Sequence, residues 1–156
     1  MTDVCLIGSS DVVLRYELLS RETSREALST YDLWEPYENA IALRTVSLGA
    51  AVSLLNDLDW YIVRFVDEVL VREPSVDDEE WLSRGLATQV RNDAVAPGET
   101  DQYCKLFGLL EPDDGPPEPV EPLFAQRVDG ELPTYDLRPE VEETMVVRVS
   151  EEEFAG

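Results

Sequence analysis

Apolar residues fall in short runs along this chain, and the spacing within each run predicts an element. Val4 to Ile7 is an uninterrupted apolar run stopped by Gly8, which reads as a short buried strand. Ser9-Ser10-Asp11 then supplies N-cap candidates for a helix, with Val12, Tyr16, Leu19, Thr23 and Ala27 recurring at helical spacing. Val12, Leu14, Tyr16 and Leu18 also alternate as a strand would, so residues 12–19 satisfy both periods, and the helix is favoured from Ser20 onward. Glu17, Arg21 and Arg25 follow at i, i+4 and lay an ion-pair row along an exposed face. Asp32 to Asn39, interrupted by Pro36, reads as a connection. An apolar strand is expected at Ala40 to Val46, followed by a helix from Leu48 to Asp57 that Ser47 caps and whose inner face carries Ala51, Leu55 and Leu58.

Trp60 to Val71 gives the most regular alternation: Tyr61, Val63, Phe65, Val69 and Val71 share one side, and Arg64, Glu68 and Arg72 the other. It reads as one long strand, closing a β-α-β unit with the strand at residue 40 and a right-handed crossover. After Pro74, the Ser75-Val76-Asp77-Asp78 spacing predicts a capped helix running to about Arg91, with Asp77 to Glu80 at its positive end. Strands are then expected at Tyr103–Leu110, Leu123–Val128, Thr134–Leu137 and Thr144–Val149. The prolines and acids of residues 112–122 read as an exposed loop, and 151–156 as a solvated acidic tail. The sum is a single α+β domain over residues 1–150, with two or three helices packed on a mixed β-sheet.

Charge changes the picture of the surface. Thirty-four acidic residues face eleven arginines and the single lysine Lys105, with no histidine, for a formal net charge of -22. Such a surplus repels itself in the compact state and suits a medium in which salt screens charge over about 3 Å. The composition predicts a cytoplasmic protein adapted to brine. No run approaches the roughly 18 apolar residues of a membrane span, and the N-terminus lacks the basic and apolar regions of a leader. Cys5 and Cys104 are expected to be buried, unpaired thiols.

The absence of histidine excludes imidazole bases, histidine metal ligands and the usual serine or cysteine triads. The acidic clusters match no calcium loop, so no metal and no cofactor is expected. Arg44, Arg64, Arg127 and Arg148 each interrupt an apolar run. An arginine in such a place is either paired with a carboxylate or lines a site. Arg44, Arg64 and Arg148, with Ser9 and Ser10 at the Gly8 turn, are therefore the candidate anion-binding residues, although Asp11 opposes an anion there. Trp34 and Tyr37, in a connection, are the candidate partner-binding residues, while Trp60 and Tyr61 are assigned to the core.

The runs Leu14-Arg15-Tyr16-Glu17-Leu18-Leu19-Ser20-Arg21-Glu22-Thr23-Ser24-Arg25-Glu26, Arg44-Thr45-Val46-Ser47-Leu48-Gly49-Ala50-Ala51 and Val63-Arg64-Phe65-Val66-Asp67-Glu68 resemble an uncharacterised haloarchaeal family of small acidic proteins. The resemblance covers roughly residues 4–75. It implies a cytoplasmic protein of unknown function and brings no catalytic residues with it. The leading expectation is a noncatalytic protein that acts through protein–protein interaction or regulation. The alternatives are a small anion-binding module or modest enzyme built on the strand arginines, and a nucleic-acid mimic. Direct nucleic-acid binding is disfavoured by the lack of a basic stripe. A homodimer is compatible with the sequence on the general prevalence of twofold oligomers.

Overall fold

A computed structural model of the chain describes residues 1–132 and 143–156, and the strand expected at Thr134–Leu137 lies outside them. The first strand, β1 (Thr2–Gly8), is buried on both faces, as its uninterrupted apolar run demands. β2 (Ala40–Thr45) and β3 (Val66–Arg72) flank it, both antiparallel to it and so parallel to each other. The strands that bracket the expected β-α-β unit thus share a sheet, but β1 lies between them. A three-residue strand, β4 (Trp81–Ser83), joins β3 to a second group: β5 (Tyr103–Leu110), β6 (Glu118–Gln126) and β7 (Glu143–Arg148). The sheet order is β2-β1-β3-β4-β7-β5-β6, with only the β4–β7 pair parallel among neighbours. The seven strands curl into a half-barrel within one α+β domain.

Helices α1 (Leu14–Leu19), α2 (Glu22–Leu28), α3 (Leu48–Asp57), α4 (Asp59–Phe65) and α5 (Arg84–Arg91) cover one face of β1, β2, β3 and β4. Val4, Leu6, Ile41, Leu43, Val71 and Leu82 meet them there. The opposite face of the same strands, carrying Cys5, Ala40, Ala42, Leu70 and Trp81, closes instead on Phe107, Leu109, Met145 and Val147 from the second strand group. The curl is therefore a packing consequence, because the helices cover only one side of a sheet whose strands are apolar on both. Lys105 pairs with Glu68 across the curl, and the Glu38 N–H donates to the Pro117 carbonyl at 2.9 Å, tying the mouth together. Cys5 and Cys104 are buried free thiols. Burial pushes the Cys5 thiol up to about 12, the nearby Arg72 opposing it only weakly.

Three expectations are corrected. Trp60–Val71 is not one strand: residues 59–65 form α4, and β3 begins at Val66. Leu58, Ile62 and Phe65 recur at i, i+4, i+7, so the helical face competes with the strand alternation, and the buried Leu58 and Ile62 decide it. The helix expected from Ser75 is a turn, a strand and a later helix. Asp77 Oδ2 accepts the Glu79 and Glu80 N–H groups at 2.9 and 2.7 Å, and Ser83 caps α5 by accepting from Leu86 N–H at 3.1 Å. Trp81 and Leu82 are needed on opposite sheet faces, which only an extended backbone allows. The proline loop is shorter than expected, since Pro119 and Pro122 lie within β6, an edge strand where a missing N–H donor is tolerated.

Residues 151–155 form a last helix, α6, closed by a Ser150/Glu153 capping box. Glu151 and Glu152 stay in solvent, while Phe154 sits 4.9 Å from the Tyr103 ring and 6.2 Å from Phe124.

Candidate functional site

The arginines singled out by the sequence do not converge. Arg44 projects from β2 with its side chain more than half exposed, and it grips Asp3 through Nε at 2.7 Å and Nη2 at 3.4 Å. Arg72 holds the other oxygen of Asp3 at 3.0 Å. Burial alone would raise the Asp3 pKa, but these two guanidinium groups outweigh it and hold the carboxyl below its usual range. Arg148 is buried on β7. It donates to Glu80 through Nε at 2.8 Å, to Thr100 Oγ1 at 2.9 Å and to Asp77 at 3.3 Å. Arg127 takes the other Glu80 oxygen and also donates to the Asp101 carbonyl. Glu80, read from the sequence as helix-terminal charge, is thus the carboxylate between two guanidiniums beside the β4 joint.

Arg64 is on α4 rather than on a strand. Its Nη1 donates to the Trp60 carbonyl at 2.9 Å, and its guanidinium lies 3.8 Å from the Trp60 ring centroid. Among the described residues no carboxylate pairs with it.

Ser9 and Ser10 lie in the turn after β1, but no helix N-terminus follows them directly. Ser9 donates its hydroxyl to Asp67 at 3.1 Å. The start of α1 is satisfied by Asn39, 25 residues downstream of Leu14. Its Oδ1 accepts the Leu14 N–H at 2.9 Å, and its Nδ2 donates to the Ser9 and Val12 carbonyls at 3.0 and 2.9 Å. The Leu14 N–H is thereby taken, and the Ser9 and Val12 N–H groups donate to the Phe65 and Ser9 carbonyls, so these three donors at the turn are not free for an anion. Gly8 is required beside this cap, because a Cβ there would fall 2.7 Å from Asn39 Nδ2 and 2.8 Å from Leu14 Cβ.

Trp34 and Tyr37 point to different places. Trp34, 37% exposed, lies along the free edge of β2, exchanging N–H and C=O bonds with Ala42. It shares a depression of about 530 Å³ with Arg44, Tyr31 and Met1. Tyr37 is half-buried against the inner cluster, where its oxygen accepts the Trp81 Nε1–H at 3.2 Å.

The exposed aromatic surface is elsewhere. Val13 and Tyr16 on the outer side of α1 are 66% and 67% exposed, and Trp60 and Val63 on α4 are 50% and 72% exposed. Trp60 is therefore not core, which corrects its assignment from the sequence. Arg21 links the two helices: it pairs with Glu17 on α1 at 2.9 Å and lies 5.1 and 5.9 Å from the Phe65 and Trp60 ring centroids. The signal was present in the chain, since a helical reading of 59–65 puts Trp60, Val63 and Arg64 outward as soon as Ile62 points in. A second depression, of about 630 Å³, lies between α5 and α6, lined by Glu99, Asp101, Glu151 and Glu152 with Arg127. Ser150, also in its lining, has its hydroxyl committed to the α6 cap.

No helix of the described residues is long and apolar enough to cross a membrane. Among the described residues, no group of three or more cysteine and carboxylate side chains is arranged to hold a metal ion. A family model described as a family of unknown function (DUF5804) matches residues 2–109, a span that contains the whole α1–α4 face. Neither a curated protein nor a solved structure matches the chain.

Proposed function

We propose, for a chain that belongs to the family of unknown function DUF5804, that it is a noncatalytic protein of a salt-rich cytoplasm which works by docking a protein onto its α1–α4 face. One observation carries this reading. Arg21 and Arg64, residue types that with Trp dominate binding energy at protein interfaces, gather around the exposed Trp60 ring beside the exposed Val63, while Tyr16 and Val13 are exposed on the contacting helix α1. Arg64 stacks on Trp60, and among the described residues no carboxylate pairs with its guanidinium, which leaves donors for an acceptor on a partner. The anion-binding alternative has less support, since Arg44 and Arg148 are each closed by carboxylates of the same chain.

A photo-crosslinking residue at position 63 tests the docking directly in cells. It should give a discrete protein conjugate, whereas the same residue at position 128, exposed on a different part of the chain, should give none. If position 63 yields no conjugate, docking on this face is refuted.

The brine adaptation has its own measurement. With 34 acids against 12 bases, raising salt from dilute to molar shortens the screening distance from roughly 10 Å to about 3 Å. The thermal midpoint should rise by on the order of 10 °C or more. A midpoint that does not move with salt would remove the adaptation from the proposal.

A further inference from the structure

We infer that the partner of the α1–α4 face is a second copy of this chain, docked face to face about a twofold axis; this rests on the docking reading above. The argument is one of charge. Segments 12–28 and 59–65, which build the face, hold four arginines (Arg15, Arg21, Arg25, Arg64) and four acids (Glu17, Glu22, Glu26, Asp59). These segments are therefore neutral in sum, the two pairs that reach out of them, Arg15 with Glu35 and Asp59 with Arg84, keep that balance, and the excess of -22 resides on the rest of the molecule. An isologous interface places a surface against itself, so it must carry both signs in balance as well as an apolar centre. This face does. Two copies meeting through any surface of average composition would bring carboxylates onto carboxylates, which salt screens but does not turn into attraction.

The two free edges of the sheet are poor routes to self-association. The free edge of β2 is covered at Ala42 by Trp34. The free edge of β6 carries Pro119 and Pro122, which break its row of donors. The depressions next to Trp60 and beside Tyr16 are shallow and open. That relief suits a flat helical face better than an inserted peptide or a small ligand. Across the twofold axis, Arg64 of one protomer finds its acceptors among Glu22 and Glu26 of the other, while Trp60, Val63 and Tyr16 form the dry centre.

Sedimentation equilibrium of the full chain in molar salt tests the inference, with Trp60→Glu, Val63→Glu and the remote Val128→Glu as comparisons. All three sites are exposed, and an unchanged thermal midpoint at low protein concentration checks that each variant is folded. The wild type and Val128→Glu should be dimers. Trp60→Glu and Val63→Glu should each weaken the dimer by at least about 30-fold. A wild type that stays monomeric at its solubility limit overturns the inference, as does a dimer indifferent to both face substitutions. The crosslink at position 63 separates the two levels. A conjugate of twice the chain's mass supports self-docking, a conjugate with another protein overturns self-docking while leaving the docking reading intact, and no conjugate overturns both.

Discussion

Glu80→Ala should lower stability by about 3 kcal/mol, a fall of roughly 10 °C in the thermal midpoint, read by urea unfolding in molar salt. Arg148 is 8% exposed and on its Glu80 side has no other acceptor as close: Thr100 takes one Nη1 proton, and Asp77 lies at 3.3 Å. Removing the carboxylate leaves two guanidinium groups facing one another at the edge of the core, with Asp77, 3.3 Å from Arg148, as the carboxylate left to offset them. The position amplifies the loss. β4 has only three residues, and among the described residues it is the strand that links β3 to β7 in the sheet order, through Leu82 and its neighbours Trp81 and Ser83. Arg148 is the β7 partner of Leu82 in that register. Replacing Arg127 by methionine in the Glu80→Ala background should recover part of the loss, because it removes one of the two like charges, so the pair should fall short of additivity. By contrast Arg15→Ala should leave stability essentially unchanged, its pair with Glu35 being 3.8 Å long and half exposed on both sides. A Glu80→Ala variant within 1 kcal/mol of wild type would mean that the two halves of the sheet are held by the apolar clusters alone.

Asn39→Ala should cost about 3 kcal/mol, and Asn39→Gly about 1 kcal/mol less than that. The side chain makes three bonds at once: it accepts from the Leu14 N–H and donates to the Ser9 and Val12 carbonyls. The turn they serve connects β1 to α1, and the N-cap residue Val13 has no side-chain acceptor of its own. Either replacement leaves those backbone groups without their partner. The difference between the two variants isolates the backbone, because Asn39 has φ 53°, a left-handed conformation that glycine adopts freely and alanine does not. The two losses would be equal if the conformation carried no cost. Neither variant would differ from wild type if water replaced the amide without penalty.

The α1–α4 face depends on the same turn. Leu14 and Leu18 turn inward from α1 and are fully buried, so Val13, Tyr16 and Ser20 are held outward only while the first turn of α1 is in place. The cap at residue 39 therefore positions part of the docking surface from a distant point in the sequence.

The sequence by itself determined the α+β class, the apolar runs that became β1, β2, β5 and β7, the helix α3 with its Ser47 cap, and the charge surplus. These follow from local composition and period, and Ser47 indeed accepts from Ala50 N–H at 3.1 Å. Where two periods fit the same residues, the chain alone was ambiguous. Residues 60–65 alternate like a strand and also recur like a helix, and only the site into which Leu58 and Ile62 are driven selected the helix. The same limit hid Trp60 and Val63, because a side chain's exposure depends on which face the packing turns inward. Pairing was likewise decided by the tertiary structure. Arg44 with Asp3, Arg148 with Glu80 and Asn39 with Leu14 join residues 25 to 68 positions apart, and no spacing rule reaches across that separation. Local periodicity records what a segment can form, whereas the contacts that choose among its options, and that fix which charged groups remain free, exist only once the strands have been brought together.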